Sequence, residues 1–391
     1  MNNLVENTNN KQLSNNKNRL LGLDAARLIA MLMMVQGHTL HCLLERGTIM
    51  SGEWYWTLWT FIRGLTAPVF LMVSGAVHIF ANKRDENGIF PNATAKKRIQ
   101  TCLILFFIGY LLQFPVNNLY DLPFVSERGW YDFFKVNVLQ MFAATLIFLT
   151  LLFKITKNNK QLGITAFVLG NIILFTSHFV LSVDWFEILP TPFAAYFSMQ
   201  HKTIFPLFPF SAYLLIGSFI GYLAQQKKPE ERNHFLIKNL LLFGLFYVVV
   251  GYIVNYWYAG WGGYKIIGPS KITPGLIIVR TGLAMWAISL AVFCSKYFER
   301  FAFADIISKF SQKALFIYVI HLFIIYGSPI TPGLRNFFFN VDIYTAFYCA
   351  FFVIFFSLFL VYVYDITSKY EKVNQFYKYL IVAFLIYRLL I

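Results

Sequence analysis

Apolar runs of roughly twenty residues, divided by short polar connections, repeat from residue 20 to the end of the chain. About 20 mostly apolar residues in a helix cross the hydrocarbon core of a bilayer. On that rule the pattern predicts spans at 20–42, 57–80, 99–117, 136–153, 162–182, 204–224, 237–257, 274–295, 313–328, 344–365 and 375–391. The last is short and carries Lys378 and Arg388 near its ends, where long basic side chains can snorkel to the interface. The expected fold is therefore all-α, a polytopic integral membrane protein with ten to eleven transmembrane helices around a central cavity. Residues 1–18, rich in Asn and Lys, are expected to form a disordered cytoplasmic tail, and 19–391 a single membrane domain without an internal repeat. The tail has no apolar core followed by small residues, as a cleaved leader would, so the first span is expected to be retained.

Composition fits that pattern. Of 391 residues, 58% are hydrophobic and only 13% charged, against about a quarter charged in soluble domains, so no water-soluble fold of this size hides the apolar surface. The net charge of +15 raises the question of nucleic acid, but its placement answers it. The cations Lys83, Arg84, Lys96, Lys97 and Arg98, then Lys154, Lys157 and Lys160, then Lys227, Lys228 and Arg232, then Lys296, Arg300 and Lys309 fall in alternate connections. Lys and Arg collect on the cytoplasmic side of membrane proteins, which predicts a cytoplasmic N-terminus and no nucleic-acid partner. Tyr and Trp around 54–59, 130–131 and 256–264 are expected to form interfacial aromatic belts. The scattered Cys42, Cys102, Cys294 and Cys349 have no metal-binding or redox spacing.

The first span departs from plain hydrophobicity. It carries Asp24, Arg27, His38 and His41, and a charged side chain inside the membrane costs about 2.5 kcal/mol or more. At about 100° per residue, the step from Arg27 to His38 leaves the two roughly 20° apart around the helix and about 16 Å apart along it. Asp24 and His41 fall on the same stripe, which could line a passage. Asp24 and Arg27 could instead be only an i,i+3 ion pair, and the two histidines interfacial groups at a helix end. Arg63 in the second span and Arg280 in the eighth are also costly enough to suggest pore-lining groups, with structural ion pairing or snorkelling as the alternative. For His321 in the ninth span and Gln140 in the fourth, hydrogen bonding between helices competes with a role in binding. There is no glycine-rich phosphate loop, no helical pair of His ligands with a glutamate, and no Gly-x-Ser-x-Gly elbow. No metal site is implied.

Asp24 and Arg27 followed by ten residues and His38 resemble the first-helix signature of the transmembrane acyltransferases, which include the bacterial type-three acyltransferases and the heparan-alpha-glucosaminide N-acetyltransferase family. RGLTAPVFLMVSGAV (63–77), VLQMFAATLIF (138–148), FPLFPFSAYLLIGSFIGYL (205–223) and FSQKALFIYVIHLFIIYG (310–327) occur in the order of the second family. Leu28 stands where a glycine usually follows the arginine, and Met141 where many relatives have arginine. The resemblance implies acyl transfer from acetyl-CoA or another acyl-CoA, entering from the cytoplasm, to a hydroxyl or amine of a glycan, glycolipid or other cell-envelope acceptor. His38 would be the catalytic histidine, as base or as covalent acyl carrier, with Arg27 and Asp24 positioning the donor. His41 competes with it, because the lysosomal relative places its histidine in the loop that follows. Lys97 and Arg98, with Lys96, would meet the anionic coenzyme, and Arg63, Gln140, Arg280 and His321 complete the expected donor-binding set. A bacterial plasma membrane is the expected location, and self-association is left open. A transporter or lipid flippase whose polar stripe lines a pathway, and a non-catalytic assembly protein, are the alternatives from other classes.

Overall fold

The computed structural model describes residues 20–371 apart from 46, 50, 261–272, 302 and 329–330, together with 373, 375, 379 and 387. Ten long helices stand in the first ten predicted places: α1 Leu21–Leu43, α2 Trp54–Ala81, α3 Asn92–Leu111, α4 Val138–Ile155, α5 Asn159–Ser182, α6 Leu207–Gln225, α7 Pro229–Gly260, α8 Pro274–Arg300, α9 Ala314–Tyr326 and α10 Ile343–Thr367. The short helix Ala304–Gln312 precedes α9 and meets it at a bend of 65°. The predicted tail 1–18 and the body of the eleventh span, with Lys378 and Arg388, lie outside the described residues, as does the end of the last predicted aromatic belt.

On length and apolarity alone, α2, α4, α5, α6, α7, α8 and α10 qualify as membrane spans, and the bent pair makes an eighth. The protein is an all-α, multi-pass membrane protein. Among the helices at predicted span positions, α1 and α3 fall short of that test for identifiable reasons. The polar groups Asp24, Arg27, Gln36, His38 and His41 dilute α1, and Lys96, Lys97 and Arg98 occupy the first turns of α3.

The bundle is built around α1, which packs against α2, α8, α9, α10 and the short helix. Leu23, Ala26, Met31, Val35, Leu40 and Leu43 are all buried, so apolar contacts surround α1 as they do a helix in the middle of a bundle. A second seam joins α2 to α6. A Cβ on Gly75 would run into the carbonyl of Leu214, and one on Gly217 into that of Met72. Small residues let the two backbones approach where lipid provides no hydrophobic drive between helices.

The turns segregate into two faces. On one, Arg84 donates to the carbonyls of Gly88 (3.0 Å) and Thr156 (2.7 Å), to Thr156 Oγ1 (2.8 Å) and to Asn159 Oδ1 (3.0 Å). Asn159 Nδ2 donates in turn to Gln225 Oε1 at 3.2 Å. The α2–α3 turn, the α4–α5 turn and the end of α6, three of the basic connections, thus meet. On the other face Gln113 Nε2 donates to the carbonyls of Phe133 and Lys135, and the connection leading into α10 bonds the end of α1 through Val341 N to Leu43 O.

Candidate active site

The polar stripe of α1 divides into two clusters that differ in kind. Near its start, Arg27 Nη2 lies 3.4 Å from Asp24 Oδ1. Arg27 Nε donates to Ser311 Oγ at 3.0 Å, and Ser311 Oγ donates to the same Asp24 oxygen at 3.0 Å. The three groups close a triangle between α1 and the last turn of the short helix. Asp24 is only 4% exposed, and its bonds to Arg27 and Ser311 help make its charge tolerable there. Asp24 and Arg27 hold the bend of the 304–326 segment against α1.

About three turns beyond Arg27, His38 Nδ1 lies 3.0 Å from His321 Nε2. The other nitrogen of His321, Nδ1, lies 3.1 Å from the carbonyl of Ile317, one turn back in α9. His321 is fully buried and His38 half-buried. The rings are nearly parallel, with centroids 5.2 Å apart, and Tyr318 and Tyr326 present edges to His38 at 6.5 and 6.3 Å. Both clusters therefore join α1 to the same broken segment, through residues 24, 27 and 38 on one side and 311 and 321 on the other.

Arg63 of α2 reaches across α1 beside His38. A Cβ on Gly37 would sit 3.0 Å from Arg63 Cγ and Cδ, so the glycine opens the path for this side chain. Its guanidinium lies 4.8 Å from the Trp59 ring, a cation–π contact, and Trp59 Nε1 donates to Gln36 Oε1 at 3.1 Å. With Trp56 buried as well, the expected belt at 54–59 is corrected in part. Trp54 and Tyr55 are exposed, whereas Trp56 and Trp59 point into the bundle. Arg280 of α8 lies along Gly64, where a Cβ would be 3.4 Å from its Nη2.

His41, in the last turn of α1, is exposed but close enough to His38 and Arg63 for their charges to interact. The remaining expected site residues lie elsewhere. Lys97 is exposed at the start of α3, and Arg98 Nε donates to Asn82 Oδ1 at 3.0 Å, within the basic face. Gln140 is fully buried under Gly109, a Cβ on which would be 2.9 Å from its Cδ. It accepts from the backbone N–H of Asn137 at 3.3 Å and so works at the α3–α4 contact. Sequence reasoning did not select Ser311, Trp59, Tyr318 or Tyr326. For Tyr318 the signal was present, since it stands three residues before His321 on the same helical face.

On the opposite face from Arg84, a cavity of about 460 Å³ is lined by Glu127, Arg128, Tyr131, Asp132, His201 and Lys202. The His201 ring stacks on Tyr131 at 3.8 Å with 7° between planes. Lys202 Nζ contacts both oxygens of Asp132 at 3.0 Å. Burial pushes the Asp132 carboxyl up, but Lys202 and Lys135 outweigh it and hold it below its ordinary range.

A helical membrane bundle with an imidazole pair in its interior and an arginine laid beside it defines the class at its coarsest: a multi-pass membrane protein with polar groups gathered among its helices. Residues 19–255 match the family described as "Heparan-alpha-glucosaminide N-acetyltransferase, catalytic", and the chain belongs to that family. It is a membrane acetyltransferase by family. The match takes in α1 and α2, with His38 and Arg63, and ends before Arg280, Ser311 and His321. None of the curated proteins matches the chain.

Proposed function

We propose that the protein transfers an acetyl group from acetyl-CoA to a hydroxyl or amine of a glycan or other cell-envelope acceptor, with His38 as the base. The proposed setting is a bacterial plasma membrane, with the N-terminus and the face carrying Arg84 and Arg98 toward the cytoplasm. One observation carries this: among the described residues His38 is bonded through Nδ1 alone, which leaves Nε2 for chemistry in a half-buried position beside Arg63. The donor is a thin chain with its phosphates at one end and its thioester at the other. The rise of about 16 Å from Arg27 to His38 suits an arm extended along α1, with the phosphates toward the basic face.

In the reaction the acceptor lone pair adds to the thioester carbonyl while His38 Nε2 takes the acceptor's proton. The carbon–sulfur bond then breaks, and the departing thiolate receives that proton from His38, giving the acetylated acceptor and free coenzyme A. Arg63 supplies fixed positive charge beside the developing oxyanion, the kind of preorganised stabilisation that acts most strongly where water is excluded. An imidazole suits the proton transfer because its unperturbed pKa of about 6.5 lies near neutrality.

The test uses the purified protein in detergent with acetyl-CoA labelled in the acetyl group and an extract of envelope glycans. The expected result is saturable binding of acetyl-CoA and label transfer, lost in His38→Ala while the variant keeps its melting transition. Wild-type transfer by that variant, or solute movement across vesicles without any acyl donor, would overturn the proposal.

A further inference from the structure

His321 lies beyond the residues that match the family, yet it is the group in contact with the proposed base. We infer that His321 is a positioning residue that sets the tautomer of His38. The inference rests on the function proposed above for its consequence and on hydrogen-bond chemistry for its premise.

A backbone carbonyl can only accept. The contact between His321 Nδ1 and Ile317 O at 3.1 Å therefore puts the ring proton of His321 on Nδ1. With the ring neutral, its Nε2 carries a lone pair and no hydrogen. That lone pair faces His38 Nδ1 at 3.0 Å, so Nδ1 of His38 must be the protonated nitrogen. His38 Nε2 is then left bare, which is the form a base needs. The chain runs from Ile317 O through His321 to His38, and each link is fixed by the one before it.

The same chain serves the step that follows. When His38 takes the acceptor's proton, its Nδ1–H bond to His321 becomes charge-assisted and stronger, and no atom has to move. His321 donates nothing to the substrate and takes nothing from it. It is also rigidly held, being fully buried on α9 with Tyr318 edge-on at 5.0 Å between ring centroids. A hydrogen-bonding partner that fixes the correct imidazole tautomer is worth several orders of magnitude in the serine-protease triad, where an aspartate does this work. A neutral imidazole is a weaker acceptor, so the expected effect here is smaller.

The experiment compares His321→Leu with His321→Gln, whose side-chain carbonyl can accept from His38 Nδ1. Protein labelled with nitrogen-15 at histidine reports the tautomer directly, and the His38 signals are assigned by their loss in His38→Asn. His38 is expected as the Nδ1–H tautomer in the wild type and in His321→Gln. In His321→Leu that preference is expected to disappear and kcat to fall on the order of 10²-fold, with His321→Gln within about tenfold of wild type and KM for acetyl-CoA little changed. An unchanged His38 tautomer in His321→Leu, full turnover by that variant, or equal loss in a folded His321→Gln overturns the inference. The tautomer readout needs no turnover, so the inference and the proposed function can fail separately.

Discussion

The two ends of α1 carry similar polar residues and put them to opposite uses. At the Asp24 end a carboxylate, a guanidinium and a hydroxyl bond one another in a closed triangle. At the His38 end the bonding is a line, from Ile317 O through His321 to His38, and it stops at an imidazole nitrogen that bonds no other group among the described residues. Groups bonded to one another across two helices hold those helices together, whereas a line that ends on an unshared nitrogen leaves that nitrogen for a substrate. The hydrogen-bond pattern, and not the presence of charge in the membrane, separates scaffold from chemistry here.

Removing one group from each end tests that separation most severely. His38→Ala is expected to lower acetyl transfer by up to about 10⁴-fold with little change in melting temperature, measured by label transfer and by thermal unfolding in detergent. Asp24→Ala is expected to do the reverse. Taking one partner from a buried ion pair costs about 3–5 kcal/mol, so the variant should unfold well below the wild type, while any folded fraction keeps a near-normal KM. If Asp24→Ala instead folded normally and bound acetyl-CoA poorly, the triangle would be part of the donor site and the contrast would vanish.

Smaller effects sharpen the contrast. Arg63→Gln removes the cation laid across Gly37, and kcat is expected to fall about 10²-fold, as when one preorganised oxyanion partner is lost, with stability nearly unchanged. Steady-state kinetics would show it, and a change in KM alone would make Arg63 a binding group. Lys202→Ala, at the outer cavity, is expected to cost under about 1 kcal/mol, as exposed ion pairs do. The sign of its pH dependence follows from Asp132, whose carboxyl is held below its ordinary range. The stabilisation is present above the unfolded carboxylate range and disappears as pH falls through the folded value, so wild type and variant should converge in unfolding scans taken in acid.

Much of the architecture was legible because the bilayer simplifies the code. Runs of apolar residues near 20 long place helices without knowledge of their partners, and each of the first ten predicted spans has its helix. The resemblance carried by Asp24, Arg27, His38 and the segment beginning at Arg63 led to the family that the chain belongs to. Grouping was less legible. Ten residues were expected to share one site. The structure joins His38 to His321 with Arg63 alongside and an exposed His41 nearby, ties Asp24 and Arg27 to Ser311, sets Arg280 along Gly64, and leaves Lys97, Arg98 and Gln140 in other surroundings.

The sequence by itself determined that the chain is a bundle of membrane helices, that its basic connections alternate, and that α1 bears a polar stripe. These properties depend on hydropathy and on the 100° step of a single helix, both of which are local. Only the tertiary structure decided which polar groups are satisfied by one another and which are left open. That outcome depends on distances of about 3 Å between side chains nearly three hundred residues apart, Asp24 with Ser311 and His38 with His321, and no periodicity within one helix encodes what the facing helix brings.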